Sequence, residues 1–197
     1  MALLVAFIGQ PTTEQKWARI EATETARLAN REVQIHPAEL AMTMMNDTLS
    51  TIILDVRSEA DFNQFHLQEA RHAPLAALPE MLEELRALPE NAVVVVVGND
   101  EAAATEAWQY LRAESVRSAY ILEGGMNNWL RLFGDETFVA ENAITGAADD
   151  QLAFTFPAAL GAGYAFAAPN ETLAESFTFT PKITLEVKRG PGGGGCG

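Results

Sequence analysis

Few side chains in this sequence combine a reactive type with a setting that could use it, and the first such setting is a short loop. Val97-Gly98-Asn99-Asp100-Glu101-Ala102-Ala103-Ala104 leads from an apolar run into a helical pattern. Paired carboxylates such as Asp100 and Glu101 do general acid–base work when their surroundings separate their pKa values. Neighbours at a helix start face different directions, however. The same two charges also suit the positive end of the helix dipole as an internal cap. A helix N-terminus otherwise attracts anions, and these carboxylates would repel one.

The second candidate is Cys196, the single cysteine, at the end of Gly190-Pro191-Gly192-Gly193-Gly194-Gly195. One cysteine excludes an intramolecular disulfide framework. The tail has the composition of a tether, so its thiol could serve as a swinging sulfur carrier, an attachment point or a metal-binding arm. No adjacent cation lowers its pKa, since Lys188 and Arg189 stand several residues back. The tail fits no prenylation box, because Cys196 is too close to the terminus. It also fits an expression scar with no function. His66 and His72 invite a metal reading, but no third ligand stands at a recognisable spacing. No metal and no cofactor is expected.

The 197 residues are 48% hydrophobic, enough for one core with extensions. Asp and Glu number 27 against 13 Lys and Arg, a net charge of −14. That balance argues against nucleic acid, whose binding depends on cations at phosphates, and against docking on anionic lipid. Ala2-Leu3-Leu4-Val5-Ala6-Phe7-Ile8-Gly9 is apolar, yet far shorter than the roughly 20 residues that span a bilayer. Without a basic n-region or a clear cleavage site it makes a poor secretory signal. A first strand or packing arm fits it. The end of an anchor that begins upstream of Met1 fits it too, so membrane association stays open.

Thr12 and Gln15 have capping-box spacing and predict a helix running to about Arg31. Trp17, Ile20 and Leu28 share its face, which Glu24 interrupts. Val33-Gln34-Ile35 reads as a short strand, and Pro37 opens a helix. Thr51 to Asp55 and Ala70 to Ala73 read as strands around a short helix over Glu59 to Phe65. An amphipathic helix carries Leu78, Met81, Leu82 and Leu85. Ala92 to Val97 is apolar on both faces, as in the middle of a covered parallel sheet. A helix over Ala102 to Ala113, a strand over Ala119 to Leu122 and a helix opened by Gly124-Gly125 follow. Strands alternating with helices mean α/β. Beyond Gly134 the pattern predicts a helix over Gln151 to Leu160. It also predicts a half-buried strand with Phe177, Phe179, Ile183, Leu185 and Val187 inward, which Pro181 confines to an edge.

Leu54-Asp55-Val56-Arg57, then Ala60-Asp61-Phe62 and Phe65-His66-Leu67, look like an "LDVR…EF…GHI" segment. Ala70-Arg71-His72-Ala73-Pro74-Leu75 looks like "GAxxxPL", and Leu122-Glu123-Gly124-Gly125-Met126 with Trp129 like "LEGGxxxW". Carrying these motifs in order, residues 33–134 resemble a rhodanese homology domain. In that family the loop after the central strand starts with a nucleophilic cysteine and holds a sulfur or phosphate anion among basic or hydroxyl residues. Alignment of the flanking strand and helix puts Gly98 at the cysteine's place; a one-residue slip puts Val97 there. The resemblance implies a degenerate loop over Gly98, Asn99, Asp100, Glu101, Ala102 and Ala103. It has no catalytic residue for sulfur transfer or for thiol-phosphatase chemistry. Asp55, Arg57, His66, Gly124 and Gly125 are then structural motif residues, with Asp55 and Arg57 fixing loops through charge-assisted hydrogen bonds.

The expected fold is α/β, a rhodanese-like parallel sheet flanked by helices. An N-terminal apolar segment and helical arm cover 1–32, the rhodanese-like domain 33–134, and a β-containing extension 135–197. The expected function is that of a catalytically inactive protein-interaction or accessory subunit, its partner held through the arm or the extension. The alternative is a sulfur carrier or sulfurtransferase-associated protein using Cys196.

Overall fold

The structure is a computed structural model that describes residues 10–186. The N-terminal apolar segment and the Cys196 tail lie outside the described residues. Helix α1 spans Thr13–Ala29, and its capping box is formed: the Gln15 amide donates to the Thr12 hydroxyl, and the Thr12 amide to the Gln15 side chain. Then come β1 (Gln34–Ile35), α2 (Pro37–Met44), β2 (Ser50–Asp55), α3 (Glu59–Gln64), β3 (Arg71–His72) and α4 (Leu78–Ala87). β4 (Ala92–Val97), α5 (Ala102–Ala113), β5 (Ala119–Leu122) and α6 (Gly125–Phe133) complete the alternation.

All strand pairs are parallel, in the order β1-β5-β4-β2-β3. β4 is central and buried throughout, so both its faces are apolar. Val93, Val95 and Val97 join one core with Ile35, Ile53, Tyr120 and Leu122. Val94 and Val96 join the other with Leu54, Ala119 and Ile121. The period of two along a strand makes this division.

Both flanks pack on these cores. α1 lies on the second face, where Trp17 meets the buried Trp108 edge-on at 6.5 Å. Glu24 does not interrupt the packed face of α1 but is its buried residue. Arg112 Nη2 donates to it at 3.0 Å and Arg27 Nη1 at 3.1 Å, while Arg112 Nη1 reaches Glu186 of the extension at 2.9 Å. The extension covers the first face with Leu152, Ala153, Phe154, Ala167 and Ala174.

Two expectations for the extension are corrected. No helix forms over Gln151 to Leu160. Pro157 falls inside that span, and the backbone there bonds elsewhere: the Ala153 amide donates to Asn127 Oδ1, and the Gln151 carbonyl accepts from Asn127 Nδ2. The helices are instead α7 (Glu136–Asn142), capped by Asp135, and α8 (Glu171–Ser176), capped by Asn170. No strand forms over 177–186 either; Val187 lies outside the described residues. The amides of Lys182 and Ile183 donate to Glu39 Oε1, that of Thr184 to the Tyr120 hydroxyl, and that of Glu186 to Ser118 Oγ. Side chains therefore take the place of a ladder. Phe177, Phe179 and Ile183 pack inward, whereas Leu185 is 42% exposed. Among the described residues the extension's β-structure is limited to isolated bridges at Phe154 and Gly161.

Glu24→Ala removes one of the two carboxylates on Arg112, which keeps Glu186, and is expected to lower the unfolding free energy by about 1–2 kcal/mol, the cost of a charge-assisted hydrogen bond. Glu21→Ala, exposed on the same helix, should change it by less than about 0.5 kcal/mol. Urea denaturation of both variants checks the difference.

Candidate functional site

In this sheet the connection from β2 leads to one side and that from β4 to the other. Ligand crevices of open α/β sheets lie at such a switch point, beyond the C-terminal ends of the strands. Asp55 and Val97, the last residues of β2 and β4, are in register there. The loop over residues 98–101 follows directly.

Asp55 and Arg57 are both buried and paired. Arg57 Nε and Nη2 donate to the two Asp55 oxygens at 2.9 and 2.6 Å, and Nη2 also donates to the Phe65 carbonyl at 2.6 Å. A fork-to-fork pair of this kind fixes the chain after β2 against the start of the next segment. His66 Nδ1 lies 2.8 Å from the Phe62 carbonyl, with its ring stacked on Phe62 at 3.9 Å. His72 Nε2 lies 2.9 Å from the Arg57 carbonyl. Each imidazole is held by backbone. No group of three His, Cys, Asp or Glu side chains among the described residues could hold a metal ion.

The loop itself is closed from inside. Gly125 has φ +59, and a Cβ there would stand 2.5–2.7 Å from the carbonyl oxygens of Gly98, Asn99 and Asp100. Only glycine permits that approach. It lets the Met126 amide donate to Gly98 O at 2.8 Å and the Asn127 amide to Asn99 O at 3.1 Å. Asn99 is buried, and its Nδ2 donates to Asp61 Oδ2 at 3.0 Å and to the Asp150 carbonyl at 3.1 Å.

The two loop carboxylates face different partners. Asp100 Oδ1 accepts from the Ala102 amide at 2.7 Å, at the first residue of α5, while Oδ2 accepts from the Asp150 amide at 2.7 Å. Glu101 accepts from Arg31 Nη1 at 2.5 Å, Arg31 Nη2 at 2.8 Å and the Gly124 amide at 2.8 Å. Burial pushes the Glu101 carboxyl up, but the Arg31 guanidinium and the Gly124 amide outweigh it and hold it below its ordinary value. Burial, with Asp100 and Asp61 nearby, pushes the Asp150 carboxyl up. Ala102 and Ala103 open α5 and add no reactive group. This geometry suits anchoring: Glu101 grips the arm and Asp100 the extension.

Arg31, Asp61 and Asp150 escape the sequence reading as members of this site. Arg31 and Asp150 sit in left-handed turns far along the chain, at φ 59 and 56. Nothing local in the sequence marks either one. Asp61 is visible only as part of a motif.

Glu101→Gln is expected to cost about 1–2 kcal/mol near neutral pH, a charge-assisted contact discounted for the partly exposed Arg31. The folded pKa of Glu101 is depressed, so its contribution is complete above the ordinary 4.5 and is lost as pH falls through the lower folded value. Urea titrations from about pH 7 down to about pH 3 should show the gap between wild type and variant closing at the acid end.

Residues 37–132 match the family described as Rhodanese-like domain. Among solved structures, the chain is similar to a rhodanese-like domain protein from Staphylococcus aureus, at 24% identity over 53% of this chain and 93% of that one, TM-score 0.42. It is similar to the rhodanese-like domain of an Anabaena sp. protein, at 21% identity over 64% of this chain and 94% of that one, TM-score 0.45. It is also similar to a rhodanese-related protein from Thermoplasma volcanium, at 18% identity over 50% of this chain and 91% of that one, TM-score 0.43. With its parallel sheet, its motif residues on the loops after β2 and β5, and its family match, the segment from Pro37 to Leu132 is a rhodanese-like domain.

Proposed function

We propose that this chain is a rhodanese-like module that carries out no sulfur transfer in its central loop and acts as a protein-interaction or accessory subunit. The observation that carries this reading is Gly98. It follows β4 directly, at the place where the family resemblance puts a nucleophilic cysteine. A covalent sulfur intermediate needs a thiolate, and glycine has none. The setting supports the same reading. A Cβ on Gly98 would stand 2.8 Å from the Asp100 carbonyl oxygen, a backbone atom that cannot swing aside. Asp100, which no cation pairs among the described residues, adds negative charge where an anionic donor would have to enter, while Glu101 is taken up by Arg31.

The test is thiocyanate production from thiosulfate and cyanide by the full chain, by Gly98→Cys and by Cys196→Ser. Wild type is expected to give none above the blank. Gly98→Cys is expected to stay inactive and to lose about 1–3 kcal/mol, the usual cost of overpacking. Wild-type turnover that survives Cys196→Ser overturns the silent loop. Turnover that Cys196→Ser abolishes assigns sulfur carriage to the tail thiol instead. The accessory role is checked by native mass spectrometry of the tagged chain from its own source. A stoichiometric complex is expected, and an unpartnered chain overturns that role.

A further inference from the structure

Helices α1 and α5 pack side by side and leave an open groove of about 450 Å³ on their outer seam. Its floor is apolar, with Trp17, Tyr110 and Leu75, the last 37% exposed. Its rims carry Glu14 and Glu21 from one helix and Glu106 from the other. On α1, Glu14, Trp17, Ala18 and Glu21 follow i, i+3, i+4, i+7 spacing. On α5, Glu106, Gln109, Tyr110 and Ala113 repeat it. Each helix thus turns one straight stripe about two turns long, about 10 Å, toward the groove.

The walls are held before anything binds. Trp17 rests edge-on against the buried Trp108. Below it, Thr13 Oγ1 and Lys16 Nζ each donate to Glu114 at 2.6 Å, and Arg86 pairs with the same carboxylate. A fixed aromatic in a preformed groove costs little ordering entropy on binding. The rim carboxylates differ from Glu24, Glu101 and Glu114, which are all paired. Among the described residues, Glu14, Glu21 and Glu106 have no basic group within ion-pair distance.

We propose that this groove docks a basic amphipathic helix of a partner protein, its apolar stripe on Trp17, Tyr110 and Leu75 and its Lys or Arg flanks on Glu14, Glu21 and Glu106. The proposal rests on the reading of the chain as a binding module and names the surface. Charge complementarity selects the occupant. Phosphate-bearing ligands, whether lipid or nucleic acid, meet three carboxylates of the same sign. A second copy of this chain brings its own charge of −14. A helix laid between two helices, with apolar anchors at i, i+3, i+4 and i+7, is an established recognition mode.

The probe is a stapled 16-residue Leu/Lys helix with one apolar stripe, set against its Leu/Glu counterpart. Each is titrated into the full chain by fluorescence anisotropy, with the Trp17 indole followed by NMR. The lysine helix should bind at least tenfold tighter than the glutamate helix and shift the Trp17 signal. Reversal of the rim by Glu14→Lys, Glu21→Lys and Glu106→Lys should weaken the lysine helix at least tenfold and favour the glutamate helix. All three positions are exposed, and circular dichroism confirms that the variant is folded. Leu75→Asp, also exposed, should weaken both helices. Equal affinities, binding insensitive to rim reversal, or no binding overturns the proposal. So do NOEs from residues 2–8 to the Trp17 ring in the free chain, which would make the chain its own occupant. A dimer that Leu75→Asp dissociates also overturns it. A native complex untouched by rim reversal sinks the groove and leaves the accessory role standing. Thiocyanate turnover sinks the silent-loop reading and leaves the peptide titration readable.

Discussion

Gly125 lies so close to the loop after β4 that no side chain fits between them, and the surrounding architecture follows from that contact. Its positive φ turns α6 inward, and the amides of Met126 and Asn127 then donate to the carbonyls of Gly98 and Asn99. Buried acceptors must be satisfied, and here α6 satisfies them. The ends of β4 and β5 are thereby tied together beyond the last ladder bond. With these two backbone acceptors taken by α6, the loop's side chains reach outward. Asp100, Glu101 and Asn99 reach the extension, the arm and α3 respectively.

A parallel sheet needs cover on both faces, and here the flanks supply part of it. The first face has the short α2 and α6, and it is the extension that completes it. Phe156, Tyr164 and Phe166 cluster around Phe65 and Phe138 with centroids 4.9–6.1 Å apart. The Trp129 indole donates to the Phe166 carbonyl at 2.8 Å. The second face has the longer α4 and α5, and α1 adds to them through Trp17 and Leu28 and through ion pairs. Glu24 meets Arg112 and Arg27, and Lys16 meets Glu114. The two attachments should respond differently to solvent. Aromatic burial tolerates salt, whereas the partly exposed ion pairs weaken with it.

The sheet is legible in the sequence because its period is local. An unbroken apolar run such as Ala92 to Val97 belongs at the centre of a covered sheet, and Thr12 with Gln15 marks a helix start within four residues. The extension is illegible for the opposite reason. Its alternation from Phe177 to Ile183 does bury one side, yet Glu39, Tyr120 and Ser118 take the amides that a neighbouring strand would have taken. Those partners stand 64 to 144 residues away in the chain, beyond the reach of any periodicity. Glu24 misleads for a related reason. A carboxylate on an apolar stripe reads as a fault until Arg112, 88 residues on, neutralises it. At the candidate site Gly98, Asp100 and Glu101 are visible as types. What they hold is not, because Arg31 and Asp150 arrive from the two flanks.

The distribution of charge now takes on a meaning that net charge alone does not have. Several carboxylates are fixed by cations inside the fold: Asp55 by Arg57, Glu24 by Arg112, Glu101 by Arg31, Glu114 by Lys16 and Arg86. These neutralise one another and contribute nothing to a surface field beyond a Debye length. The excess of acid is therefore concentrated on the remaining surface, which includes the rims of the α1–α5 seam. That seam combines an apolar floor with uncompensated charge on the face away from α6. For the docking proposed on this surface, a partner apolar along one line and basic beside it matches both features, because either feature alone leaves the other unmatched.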